Sequence, residues 1–140
     1  MRQLLYKLIL PITVILFGTV TKWWNVSVVD APDDVMPGFP LPYVCSGWHT
    51  SLSLQIFILE LSIDLVIYYL LTWLMIFIVH RFVMTINVAK LFVFVLYGVS
   101  AVFLFFFVMI ALNPDNIFYW RNPFEFKVMA TGIRFILQKF

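Results

Sequence analysis

Glu60 and Asp64 are two carboxylic acids one helical turn apart inside an otherwise apolar run from Leu52 to Val79. An ionisable group in hydrocarbon costs roughly 2.5–3.5 kcal/mol on insertion scales, so acids in such runs face a partner, a cavity or an ion path. Tyr68 and Thr72 follow at the same spacing of four, and Ser53 stands seven before Glu60, so one polar stripe is expected along one helix face. Counted from Ser53 at ~1.5 Å per residue, Asp64 would lie near the middle of a bilayer, with no basic residue of the chain clearly at its depth.

Three kinds of chemistry fit such a stripe. The acids can fix helix packing, because polar pairs act as modest glue between membrane helices. They can form part of a proton or cation path, or a force-sensing site, in a transporter, motor or redox complex. They can also serve as acid and base in an intramembrane enzyme, where the surroundings would have to split their pKa values. No nucleophile, histidine or metal motif accompanies them, which places enzymatic chemistry last and packing first.

Other reactive residues add little. His49 and His80 lie at opposite ends of the second apolar run, so one monomer cannot use them to hold a single haem or metal. Cys45 and His49, with Asp30, Asp33 and Asp34 nearby, match a metal site only weakly and read as interface residues, so no metal and no cofactor is expected. Asn25-Val26-Ser27 matches a glycosylation acceptor, a short pattern that arises often by chance. Cys45 is the only cysteine, which excludes an intrachain disulfide.

The composition indicates what must position these residues. With 64% hydrophobic and 11% charged residues, and a mean hydropathy of +1.02, the 140-residue chain has too little polar surface to cover a water-soluble globule. The net charge of +2, with its nine Lys and Arg at the edges of apolar runs, argues against nucleic acid. The reading is an all-α integral membrane protein with three transmembrane helices over about 4–20, 51–84 and 88–112. The first is retained rather than cleaved, because residues 18–21 make a poor signal-peptidase site, and Pro11 bends it.

A surface loop is expected over 21–50, where Pro32, Pro37, Pro40 and Pro42 stiffen the chain and Trp23, Trp24, Tyr43 and Trp48 suit the headgroup layer. A tight turn at Thr85-Ile86-Asn87 makes the second and third helices a hairpin, and Gly98 with Ala101 offers a notch for another backbone. Lys127, Thr131, Arg134 and Gln138 recur at helical spacing, which predicts an amphipathic interfacial helix over about 124–140 with Lys127 and Arg134 at the membrane surface.

Orientation by positive charge is nearly a tie, with Arg2, Lys7, Arg81 and Lys90 on one side and Lys22, Arg121, Lys127, Arg134 and Lys139 on the other. The leading end of the first helix decides for a cytoplasmic amino end, in a bacterial inner membrane or alternatively a mitochondrial one. The expected function is that of a non-enzymatic accessory or scaffold subunit, packing through its second and third helices against other integral membrane subunits and the lipid bilayer.

Overall fold

The computed structural model describes residues 4–50, 52–83, 86 and 88–135 of the chain. It corrects the all-α expectation. With 51% helix and 25% strand, the fold is mixed α/β, three helices joined to two three-stranded sheets. A π-helical turn at Leu5–Ile9 runs into α1, Leu10–Thr19, which passes directly into β1, Val20–Val28. Then come β2 (Asp34–Pro37), β3 (Val44–Ser46), β4 (Leu54–Phe57) and α2 (Ile58–Ile78), whose last turn widens into a π-helix at Val79–Val83. α3 (Lys90–Ala111), β5 (Ile117–Tyr119) and β6 (Phe126–Phe135) complete the chain.

The stretch read as a surface loop therefore holds three strands. Val20, Thr21, Trp23, Trp24, Val26 and Val28 are β-branched or aromatic, the types that fill a pleated, half-buried surface. Asp30, in the left-handed region at φ 61°, starts the turn back to β2. The predicted interfacial helix is a strand as well: β6 pairs antiparallel with β1 from Val20↔Phe135 to Val28↔Phe126, with a bulge that leaves Met129 unmatched. The charged spacing there was shared with a β-rich composition, Val128, Thr131 and Ile133 around a helix-weakening Gly132, and a strand partner decides between them. Ile136–Phe140 fall outside the described residues, as do Arg2, Ser51, Met84, Thr85 and Asn87.

One sheet has the order β2-β1-β6, the other β3-β4-β5 with β4 and β5 parallel. They pack through Val26, Val28 and Met36 of the first against Cys45 and Phe57 of the second, with Tyr119, Phe124 and Phe126 closing the rim. All six strands gather at one end of the helices. At the other end Leu4, Leu8 and Ile9 pack on Ile76, and Ile86 and Val88 join them where α2 gives way to α3.

Two helices, Ile58–Val83 and Lys90–Ala111, are long and apolar enough to cross a membrane. Leu5–Thr19 is a shorter apolar helix, about 22 Å at 1.5 Å per residue, so of the three expected spans two reach the length by themselves, and α1 packs against both. Ser100 of α3, its one buried residue, places its hydroxyl 2.9 Å from the Pro11 carbonyl oxygen. Gly18 faces α3 so closely that a Cβ there would come within 2.5 Å of the Phe103 ring.

Candidate functional site

The buried residues of α2 are Glu60, Asp64, Tyr68, Thr72 and Ile76, one every four positions. Its polar stripe is thus its inner face, while Leu65, Val66, Leu70, Leu71, Trp73, Leu74 and Met75 point outward. A helix of a water-soluble protein is arranged the other way round. Ser53 is not part of this stripe. It precedes β4, is buried, and donates its hydroxyl to the Thr50 carbonyl.

Because α2 begins at Ile58 rather than near Ser51, Glu60 sits in its first turn and Asp64 only about 9 Å along it, at 1.5 Å per residue. Both acids lie under the β layer, shallower than a count from Ser53 gave, and both have partners within the chain. Asp64 is 0% exposed and accepts the backbone N–H of Phe39 at 2.6 Å and of Leu41 at 3.2 Å, one on each carboxylate oxygen. Two backbone donors replace the cation that was sought.

The segment that supplies them, Gly38-Phe39-Pro40-Leu41-Pro42, bends sharply, with a cis Phe39–Pro40 peptide. Gly38 has φ +150°, and a Cβ there would fall 1.9 Å from the Leu41 carbonyl oxygen, so only glycine fits. Trp24 ties down the same residue, donating its indole N–H to the Gly38 carbonyl at 2.8 Å, while the Lys22 ammonium sits 3.5 Å over the Trp24 ring.

One turn beyond Asp64, the Tyr68 hydroxyl donates to the Val20 carbonyl at 2.6 Å, at the joint between α1 and β1. Thr72 returns its hydroxyl to the Tyr68 carbonyl of its own helix at 2.8 Å. One turn the other way, Glu60 is 8% exposed. Its Oε1 accepts the Asn122 N–H at 3.1 Å, and its Oε2 is buried with no hydrogen-bond partner. The stripe therefore works as a row of side-chain acceptors and one hydroxyl donor that bond to backbone groups and join α2 to the β layer at three separate places.

Two cavities lie against α2, and Glu60 lines one of them. One of 330 Å³ is lined by Glu60, Arg121 and Asn122 with Leu59, Ile63 and Phe126 among its apolar walls. The other, 370 Å³, lies between the three helices and β3–β4, and its walls are apolar apart from Tyr43. Tyr43 stacks on Phe17 with ring centroids 5.3 Å apart, and burial followed by the nearby Asp64 and Tyr68 raises its phenol pKa. Cys45, 2% exposed between the sheets, has its thiol pushed up to about 12 by burial and then by Asp34.

The remaining predicted residues are scattered. Trp48 packs edge-on against Phe124 at 4.7 Å, a role between the sheets rather than toward headgroups, and Trp23 and Trp24 are half-buried on β1. Lys127 is exposed on β6, and the side chain of Arg134 lies outside the described residues. Gly98 and Ala101 are exposed, and a Cβ on Gly98 would touch nothing within 4 Å, so among the described residues no backbone enters that notch. Among the described residues no three His, Cys, Asp or Glu side chains converge on a common point.

Sequence reasoning missed Asn122, Phe39 and Leu41, whose backbone N–H groups complete the site. Backbone donors leave no mark in residue type. The Pro-Gly-Phe-Pro-Leu-Pro run was the available signal, since a glycine within closely spaced prolines marks a bend whose free N–H groups need acceptors. No protein family, curated protein or solved structure matches this chain.

Proposed function

We propose that this chain is a multi-pass membrane protein acting as a non-enzymatic accessory or scaffold subunit, which holds a partner through β6. Support for the membrane setting comes from α2, polar inward and apolar outward, and from α3, exposed along nearly its whole length while composed of residues such as Phe94, Leu104, Phe105 and Met109. In this reading the amino end and the α2–α3 turn are cytoplasmic, in a bacterial inner membrane, and the β layer lies on the opposite side. The aspartates Asp30, Asp33 and Asp34 trailing the first helix, against Lys7 before it, favour that orientation.

The single observation that carries the scaffold role is the exposure of β6. It is the outer strand of its sheet, ten residues long, with one edge unpaired among the described residues. Lys127 through Ile133 are exposed on both faces, Met129 at 66% and Ile133 at 73%. A long edge strand carrying exposed Val128, Met129 and Ile133, with no covering element among the described residues, is a surface for strand addition. Asp64, with both oxygens held by backbone, is placed to build this platform.

Purification in mild detergent tests the reading, with a photo-crosslinking residue at Met129 and a control at Asp33 in the exposed turn before β2. A stoichiometric integral membrane partner, crosslinked from position 129 and not from 33, is the expected result. A lone monomer with no crosslink from β6 overturns it.

A further inference from the structure

We propose that the cavity beside Glu60 binds the headgroup of an aminophospholipid, with Glu60 taking the primary ammonium and Arg121 the phosphate. The proposal rests on the bilayer reading above and not on the scaffold role.

Glu60 is 92% buried as a residue, yet one of its two carboxylate oxygens is spoken for and the other is not. Buried polar atoms without a partner are rare, and a carboxylate oxygen in that state calls for a charged donor. Glu60 lines a 330 Å³ cavity, a size within the roughly 300–1,000 Å³ range of small-ligand sites, with its Oε2 lying behind the cavity wall and closed to water until the carboxylate turns. Arg121 lines the same cavity from the strand side and is exposed.

An acid and a base at one cavity match a zwitterion, not a simple cation or anion. Position selects the kind of zwitterion. Glu60 stands in the first turn of α2, where the apolar helix meets the β layer, which is headgroup depth if α2 and α3 span the bilayer. Apart from Asn122 the other walls, Leu59, Ile63 and Phe126 among them, are apolar and suit the glycerol and upper acyl region of a lipid. Turned into the cavity, the Glu60 carboxylate can accept hydrogen bonds from a primary ammonium, whereas the quaternary ammonium of a choline headgroup has no N–H, and a glycerol headgroup carries no cation.

The test is native mass spectrometry of the whole chain in maltoside micelles, doped in turn with phosphatidylethanolamine, its mono- and dimethyl forms, phosphatidylcholine and phosphatidylglycerol. Retention of phosphatidylethanolamine about tenfold above phosphatidylcholine is expected, the value of one charge-assisted hydrogen bond. Retention should fall stepwise as the nitrogen is methylated.

Glu60→Gln keeps an acceptor for Asn122 and should erase the ethanolamine preference, while Arg121→Gln should weaken ethanolamine and choline lipids alike. If Glu60→Gln fails to fold, the methylation series on the unaltered chain still decides. Equal retention of the ethanolamine and choline lipids, or strongest retention of phosphatidylglycerol, overturns the proposal. So does displacement of the lipid by soluble phosphoethanolamine at equal concentration, which would assign the site to a water-soluble amine. Resistance of the chain to alkaline carbonate extraction from membranes separates failure of this site from failure of the bilayer reading.

Discussion

Removing the carboxylate of Asp64 should unseat the bend at residues 38–42, and the size of the effect follows from the two N–H groups it accepts. A fully buried donor left without an acceptor costs about 1–3 kcal/mol; the Phe39 and Leu41 N–H groups are partly buried, so Asp64→Ala, which strands both, should cost roughly 2–4 kcal/mol. Against a total stability of about 5–15 kcal/mol, that is enough to make the β layer open locally. Asp64→Asn is the more searching variant. From sequence alone an amide keeps shape and hydrogen bonding and should be silent in a packing role. The structure changes that expectation, because the amide has one acceptor oxygen and would aim its own NH₂ at the second donor. Its cost should be that of one lost acceptor, about 1–3 kcal/mol, between the native chain and Asp64→Ala. Equilibrium unfolding in mixed micelles, followed by tryptophan emission, gives the order. Amide hydrogen exchange at Phe39 and Leu41 gives the location. An Asn variant as stable as the native chain within ~0.5 kcal/mol, or unchanged exchange at both amides in the Ala variant, would refute the reasoning.

Gly38→Ala should reproduce the loss seen for Asp64→Ala, since a Cβ at 38 collides with the Leu41 carbonyl oxygen, and a double-mutant cycle should show the two losses to be far from additive. The contribution of Cys45 to stability should be constant below about pH 9 and fall as pH climbs toward 12, because the unfolded thiol loses its proton near 9.0 while the folded thiol holds it to about 12. The raised Tyr43 phenol adds to the decline above pH 10, and unfolding at pH 8 and 10.5, with Cys45→Ala as the flatter comparison, measures it. For topology, buried Cys45 is a poor probe; Asp33→Cys in the exposed turn should react with an impermeant maleimide on intact cells, and labelling only after permeabilisation reverses the orientation.

What could be read in the sequence was periodicity within one element. The spacing of Glu60, Asp64, Tyr68 and Thr72 placed them on one face, and that face is the buried one, since the 3.6-residue period is a property of the helix itself. The long apolar runs of α2 and α3 were legible for the same reason. The strands were not, because a strand is stabilised by a neighbour distant in sequence. Nothing in Phe126–Phe135 announces that Val20–Val28 is its partner, and Lys127, Thr131 and Arg134 fit a helical period by coincidence. In Leu54–Phe57, four residues apolar enough to extend the following helix pair instead with β3 and β5, which shifted the origin of the depth count for both acids.

The joint between α1 and β1 has no slack. Val20 donates its N–H to the Leu16 carbonyl as the closing bond of the helix and is also the first residue of the strand, and Tyr68 clamps its carbonyl from α2. Helix and strand are therefore one bent rod with a pinned elbow. β1 measures about 30 Å at ~3.3 Å per residue, so a 10° tilt of α1 transmitted rigidly would swing its far end by about 5 Å. β6, bonded to β1 along that length, would travel with it. A small change in helix angle at one end of this molecule is thus a displacement of more than a strand spacing at the other, amplified by leverage alone.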